Sequence, residues 1–228
     1  TVLVVLIIIN AVNFVDGLDG LAAGIVAIAA AAFFGFSYLL AVENGFSRAG
    51  APSLVTALVI GACIGFLPYN LYPARIFMGD SGSMVMGLVL AAAAITLTGQ
   101  IDANAVFSEN IGPAALPLLL PFAVLAIPLL DFGLAVVRRV RRGSSPFAPD
   151  KEHIHHKLIA WGNSQQRTTI ILYLTTATLA IPAMLAAFAP LWIVFLSGGA
   201  LFVIAIVITK RKRNLEAHPS DVSESVPR

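Results

Sequence analysis

Long apolar stretches recur along the chain, and their length leaves few folds open. Seven can be drawn, at residues 1–12, 21–42, 53–69, 83–97, 117–137, 168–188 and 191–209. Several reach the roughly 20 residues that an α-helix needs to cross about 30 Å of hydrocarbon. None shows the strict alternation of a membrane β-barrel strand. With 58% hydrophobic residues, 11% charged residues and a mean hydropathy of +0.90, too little polar surface is left to cover a water-soluble globule. The sequence therefore predicts an all-α, polytopic transmembrane helical bundle over residues 1–213, with a polar tail, 214–228, that lacks apolar periodicity and is expected to be disordered. Pro121 and Pro128 in the fifth stretch and Pro182 in the sixth predict kinks. The one cysteine, Cys63, lies in an apolar run and reads as a small core residue. Thr1 already stands inside an apolar run with no charged leader ahead of it, so the chain is expected to be the C-terminal portion of a longer protein whose N-terminal half is missing here.

The basic residues orient the bundle. If every stretch crosses, Arg75, Arg138, Arg139, Arg141, Arg142, Lys151, Lys157, Arg167, Lys210, Arg211, Lys212, Arg213 and Arg228 fall on one side. Only Arg48 falls on the other, so thirteen of the 14 basic residues share a face. Lys and Arg accumulate in cytoplasmic loops, which makes that face, with the C-terminal tail, cytoplasmic and the chain a multi-pass protein of the plasma (inner) membrane. The connections at 43–51 and 100–113 carry acids and almost no bases. The same parity sends three polar connections, 10–20, 70–83 and 138–167, to one face, where a single composite site can be built from them.

Each connection carries a group of chemically capable residues. In NAVNFVDGLDGLAAG, Asn10, Asn13, Asp16 and Asp19 follow one another at intervals of three, which gives a drifting polar stripe on an α-helix and an aligned one in a 3₁₀ turn. The plainer reading is a helix end capped by Asp and Gly. In NLYPARIFMGDSGSMVMG, residues 70–87, an amide, an arginine, a carboxylate and two hydroxyls sit between apolar stretches, where unsatisfied polar groups are costly unless they face water or a ligand. Its GDSGS is similar to the GDSGG of chymotrypsin-like proteases, but an all-helical chain offers no β-barrel to bring a distant His and Asp to the serine. As a glycine-rich turn entering a helix, it offers backbone N–H groups and the Ser81 and Ser83 hydroxyls to a phosphate, with Asp80 free to hold a divalent cation. Phe77, three residues before Asp80, can stack on a nucleobase or serve as an interfacial aromatic. In PDKEHIHHKL, His153, His155 and His156 lie between Lys151 and Lys157. Phosphate contact, a zinc site and a solvated loop all remain open, although neither HExxH nor a Cys pair is present. Asp131, a carboxylate inside the fifth stretch, is a further candidate by its position, and the sequence does not name its partner.

Together, NAVNFVDGLDGLAAG, NLYPARIFMGDSGSMVMG and HIHH resemble the signature of the polyprenyl-phosphate N-acetylhexosamine-1-phosphate transferases, over roughly 10–157 and in the same order. The last two stretches match only as hydrophobic helices. The resemblance implies transfer of N-acetylglucosamine 1-phosphate from UDP-N-acetylglucosamine to a membrane polyprenyl phosphate with release of UMP, an early lipid-linked step of cell-envelope polysaccharide synthesis. It implies Mg²⁺, with Mn²⁺ as a substitute, held by Asp80. Asp16, Asn10, Asn13, Asp19, Asn70, Ser81 and Ser83 would line the site, Phe77 would stack on uracil, and His153, His155 and His156 would contact the phosphates. HIHHKLIAWG is closer to the branch that uses UDP-N-acetylglucosamine than to the phospho-N-acetylmuramoyl-pentapeptide branch. The family's paired aspartates of an earlier loop have no counterpart here. No nucleic-acid partner is expected, and a homodimer is compatible with the reading. A membrane transporter or a zinc metallopeptidase are the alternatives from other classes. The first usually shows paired repeats, which are absent, and the second needs a water-activating acid for which only Glu152 is at hand.

The charge asymmetry makes a direct prediction. In intact cells, Ser144→Cys and Ser164→Cys are expected to be shielded from an impermeant thiol reagent and Ser108→Cys to be labelled. Labelling of the first two in unbroken cells would invert the orientation.

Overall fold

The computed structural model describes residues 1–43, 50–99, 120, 122–143, 145 and 153–210. Among these there is no strand, and eight helices follow one another. They are α1 (Val2–Val15), α2 (Leu21–Glu43), α3 (Gly50–Asn70), α4 (Gly79–Gly99), α5 (Ala126–Arg141), α6 (Ile154–Ala160), α7 (Gln165–Leu185) and α8 (Leu191–Lys210). Among the described residues, five of the apolar stretches are helices long and apolar enough to cross a membrane: α2, α3, α4, α7 and α8. The first stretch is the shorter apolar helix α1. The tail 214–228, the connection 100–113, Arg48 and Pro121 lie outside the described residues.

The fifth stretch differs from expectation at both ends. α5 does not stop at Val137 but runs on through the arginines to Arg141. Arginine is a good helix former, and cationic side chains suit the negative end of the helix dipole. The kink expected at Pro128 is a break just before it: Leu125 leaves the helical path between the helical residues 122–124 and α5. Pro128 then stands in the first turn of α5, where a missing N–H costs nothing. Pro182 falls within the last turn of α7, which continues to Leu185.

α2 is the central element. It packs against α3 and α7, while α1 lies against α4 and α5, and α8 rests on α7. Ala22, Ala23, Ala29, Ala30 and Ala32 are buried along α2, and such small side chains let helix backbones approach closely, the main means of packing where lipid competes for apolar contact. Phe33 and Phe36 of α2, Val12 of α1 and Leu90 and Leu97 of α4 fill the space between. Cys63 joins this core, as its apolar surroundings in the sequence predict. On α8 the large residues Leu191, Trp192, Phe195, Leu196 and Phe202 are exposed, the surface expected of a helix that faces acyl chains.

The helix order brings the C-terminal ends of α1, α3 and α5 together with the starts of α2, α4, α6 and α7. The end of α8 joins them, since the Arg167 guanidinium at the start of α7 donates to the carbonyls of Ile208 and Thr209. The three polar connections thus meet at one end of the bundle, as the parity of the stretches predicts.

Gly87 sets the distance between α1 and α4. A Cβ there would stand 2.8 Å from the Ile9 Cα and 3.3 Å from the Val12 Cβ, so the two backbones touch where glycine lies. Gly87→Ala is expected to destabilise the protein by about 1–3 kcal/mol through overpacking, read as a drop in thermal midpoint in detergent. At Gly61 an added Cβ meets nothing within 4 Å, and Gly61→Ala is expected to be neutral or mildly stabilising. Equal stability of the two variants would rule out the close approach.

Candidate functional site

The first loop of the site begins where α1 runs out. Its last turn closes through the Asp16 N–H to the Asn13 carbonyl (3.1 Å) and the Gly17 N–H to that of Val15 (2.7 Å). Gly20, at φ +76°, then turns the chain into α2 through a conformation that glycine adopts without strain. Asn10 and Asn13 therefore lie on the helix, whereas Asp16 and Asp19 have left it. The even spacing of the four does not survive as one stripe. Asn10 turns back to donate to the Leu6 carbonyl of its own helix (2.7 Å).

The second connection is tied to the first at three points. The Asn70 side chain, only 4% exposed, accepts from the Gly20 N–H (3.2 Å) and donates to the Ile76 carbonyl (2.9 Å). Asp19 Oδ2 accepts from the Ala74 N–H (3.0 Å). The Ser83 hydroxyl, fully buried, donates to Asn13 Oδ1 (2.8 Å) and lies near the Gly79 and Asp80 carbonyls of its own helix. Asn70, Ser83, Asn13 and Asp19 are thus engaged in joining one loop to another. What faces outward is Asp80 and Ser81 in the first turn of α4, and Phe77, 73% exposed, with Arg75 before it.

Asp16, half-buried, has its carboxyl held above the ordinary carboxylate range, first by burial and then by the negative charge of Asp80. A carboxylate whose ionisation a neighbouring negative charge disfavours is relieved by a cation between the two. Carboxylate oxygens completed by phosphate oxygens and water are the usual donor set for Mg²⁺, so these residues fit that ion. No group of three or more His, Cys, Asp or Glu side chains among the described residues is placed to hold a metal. Among the described residues the histidines, weighed above as a zinc site, form none, and Glu152 lies outside those residues.

The third connection is short helix α6. His153 Nδ1 meets Asp131 Oδ2 at 3.1 Å, and the Ile154 N–H donates to Asp131 Oδ1 at 3.0 Å, so the carboxylate in the fifth stretch has its partner. The His153 and His155 rings lie nearly parallel with centroids 5.6 Å apart, and His155 and His156 are 4.3 Å apart. His155 is pressed against the first loop, where a Cβ on Gly17 would come within 2.6 Å of Nε2. Burial, then the neighbouring His156 and His153, holds its pKa down to about 4. Of the three histidines only His156 is exposed, together with Lys157. Behind them Phe14 of α1 packs on His153 (5.5 Å) and Phe132 (5.4 Å), with the Arg139 guanidinium 5.4 Å over its ring.

Residues of α7 complete the assembly, and the sequence reading gave that helix no part in the site. Gln166 donates to the Tyr72 carbonyl (3.4 Å), Thr169 to that of Asp19 (3.5 Å), and the Tyr173 hydroxyl to that of Gly20. They lie at i, i+3 and i+7 along one helical face, a polar stripe at the start of an otherwise apolar stretch that could have pointed to them.

The family model described as glycosyl transferase family 4 matches residues 1–98. Over 189 residues the chain is 44% identical to a decaprenyl-phosphate N-acetylglucosaminephosphotransferase of Mycolicibacterium smegmatis, covering 82% of this chain and 47% of that protein. Over 163 residues it is 46% identical to the Mycobacterium tuberculosis protein of the same name, covering 71% and 40%. An undecaprenyl-phosphate alpha-N-acetylglucosaminyl 1-phosphate transferase of Escherichia coli O157:H7 is 30% identical over 138 residues, covering 59% and 33%. The chain spans less than half the length of these relatives.

His155 gives the site a measurable signature. Because folding lowers its pKa from 6.5 to about 4, the unfolded chain binds a proton that the folded one refuses between those values. Its contribution to stability is complete above pH 6.5 and is lost as pH falls toward 4. The melting temperature is expected to decline over that window, and to decline less steeply in His155→Gln. An equally steep decline in the variant would detach the effect from this ring.

Proposed function

We propose, for a chain that belongs to glycosyl transferase family 4, that it forms the donor-phosphate side of a membrane enzyme that moves N-acetylglucosamine 1-phosphate from UDP-N-acetylglucosamine to a polyprenyl phosphate. The observation that carries this reading is the juxtaposition of Asp16 with Asp80 at the end of the bundle where the exposed Phe77, Ser81, His156 and Lys157 also emerge. In the reaction, an oxygen of the lipid phosphate forms a bond to the β-phosphorus of the donor. The bond from that phosphorus to the bridging oxygen breaks, and UMP leaves with the electron pair. Phosphoryl chemistry of this kind is mostly positioning and charge stabilisation.

The residues divide that task. Asp80 and Asp16 would hold Mg²⁺ or Mn²⁺, which when bound neutralises charge on the diphosphate. His156, as an N–H donor, and Lys157, as a cation, are placed to meet phosphate oxygens. Ser81 and the free N–H groups of the first turn of α4 supply further donors. Phe77 presents an open ring face for uracil. Asn70, Asn13, Asp19 and Ser83 hold these groups in place from beneath. The relatives' names favour N-acetylglucosamine over an N-acetylmuramoyl-pentapeptide as the transferred unit. The positive-inside pattern supports a cytoplasmic site and tail, where a soluble donor meets a phosphate at headgroup level.

The test is UMP release from UDP-N-acetylglucosamine by the full-length protein in nanodiscs containing polyprenyl phosphate. Asp80→Asn is expected to insert normally and to lose about 100-fold or more in turnover at saturating Mg²⁺, since a lost ligand to the catalytic cation costs several kcal/mol of transition-state stabilisation. Retention of more than about a tenth of wild-type turnover would remove Asp80 from that role.

A further inference from the structure

Asp131 takes no part in the chemistry outlined above, yet it is the carboxylate that the fold treats most carefully. It is 3% exposed, inside an apolar stretch where an unpaired charge is expensive. Both oxygens are occupied, Oδ2 by His153 Nδ1 and Oδ1 by the Ile154 N–H. Ile154 is the first residue of α6, and His153 at its N-cap makes no capping bond with its own side chain. The carboxylate of α5 therefore performs across space what an Asp at the N-cap does locally: it accepts a first-turn N–H and sets a negative charge at the positive end of the helix.

α6 has seven residues, too few to persist without tertiary contacts. Its anchors are this carboxylate and the burial of Leu158 and His155. An ionised carboxylate can only accept, so His153 Nδ1 carries a proton and its Nε2 is left as the acceptor when the ring is neutral, the arrangement by which a second carboxylate commonly fixes a functional histidine. From there the order is passed ring to ring. His153 lies parallel to His155, His155 bears on Gly17 beside Asp16, and His156 is left facing outward.

We infer that Asp131 is a positioning residue of the site: by clamping the His153 ring and the Ile154 N–H together, it fixes the His153 tautomer and seats α6 against the Asp16–Asp19 loop so that His156 and Lys157 meet the donor's diphosphate. The seating is a property of the fold. Its catalytic consequence rests on the transferase reading.

Two measurements on the full-length protein in nanodiscs decide this. Asp131→Asn keeps an oxygen for the Ile154 N–H, and its amide can donate to His153 Nδ1 only if that ring changes tautomer, so the cap survives while the charge and the tautomer do not. The variant is expected to melt within a few degrees of wild type and to respond to Mg²⁺ at the same concentration. Its kcat/KM for UDP-N-acetylglucosamine should fall by about 10–100-fold, the usual effect of losing such an outer partner. A kcat/KM within twofold of wild type would overturn the inference.

The second measurement needs no turnover. Without substrate, diethyl pyrocarbonate followed by mass spectrometry should modify His156 in the wild type and spare His153 and His155, and Asp131→Ala should open both to the reagent. Modification of all three in the wild type, or protection that persists in Asp131→Ala, would equally overturn the clamp. Should the wild type release no UMP, the transferase reading fails and the modification pattern alone decides the seating of α6.

Discussion

A backbone that leaves a helix at the edge of hydrocarbon must find partners for the N–H and C=O groups that the helix no longer satisfies. In this chain the connections find them in one another. Asn70 is the centre of that arrangement, because one uncharged side chain accepts from Gly20 and donates to Ile76 and so registers the loop after α1 against the loop after α3. Asp19 repeats the link through Ala74, and α7 closes it from the other side through Gln166, Thr169 and Tyr173. Removing the Asn70 amide would strand the buried Gly20 N–H, a larger penalty than the hydrogen bond itself is worth.

That network is only as well placed as the helices beneath it. The loops meet because α1 and α4 touch at Gly87 and because alanine along α2 lets α3 and α7 close on it. Ser83 shows the two levels joining: it stands one turn before Gly87 on α4 and donates to Asn13 of α1. Backbone contact and hydrogen bond set the same spacing, and Asp80 is carried on the turn above. A shift of α4 by even part of a turn would move Asp80 relative to Asp16, so packing within the membrane and geometry at its surface are one problem.

Much of this could be read in the sequence, for reasons that differ residue by residue. Five of the segments followed as candidate spans from length and hydropathy, and the meeting of three polar connections at one end followed from their parity alone. Asp131 was visible as a carboxylate in an apolar stretch, but its partner was not, because His153 lies 22 residues further on and nothing local in either motif points to the other. The sequence also gave no direction to the polar side chains near Asp80. Ser81 and Ser83 are alike in type and two residues apart, yet on a helix that separation spans about 200°, so one faces outward and the other α1. The sixth stretch was the largest omission, since its hydropathy hid a polar face only two turns long.

The outcome of that sorting is that neutral side chains make most of the bonds that join the first two loops. Neutral amides and hydroxyls, Asn13, Asn70 and Ser83, point inward, where two well-placed bonds satisfy them without a Born penalty. Among the described residues the buried acid is Asp131, and it is bonded through both oxygens. Asp80 stays at the open face, and burial first and then its charge hold the Asp16 carboxyl above the ordinary range. A cation bound between the two would relieve the repulsion that Asp80 imposes on an ionised Asp16. His156 and Lys157 contribute donors and positive charge on the same face, through α6 and its contact with Gly17. Both signs of charge therefore stand at one end of the bundle, while the loops beneath are joined chiefly by the neutral side chains of Asn13, Asn70 and Ser83, with Asp19 as the charged exception.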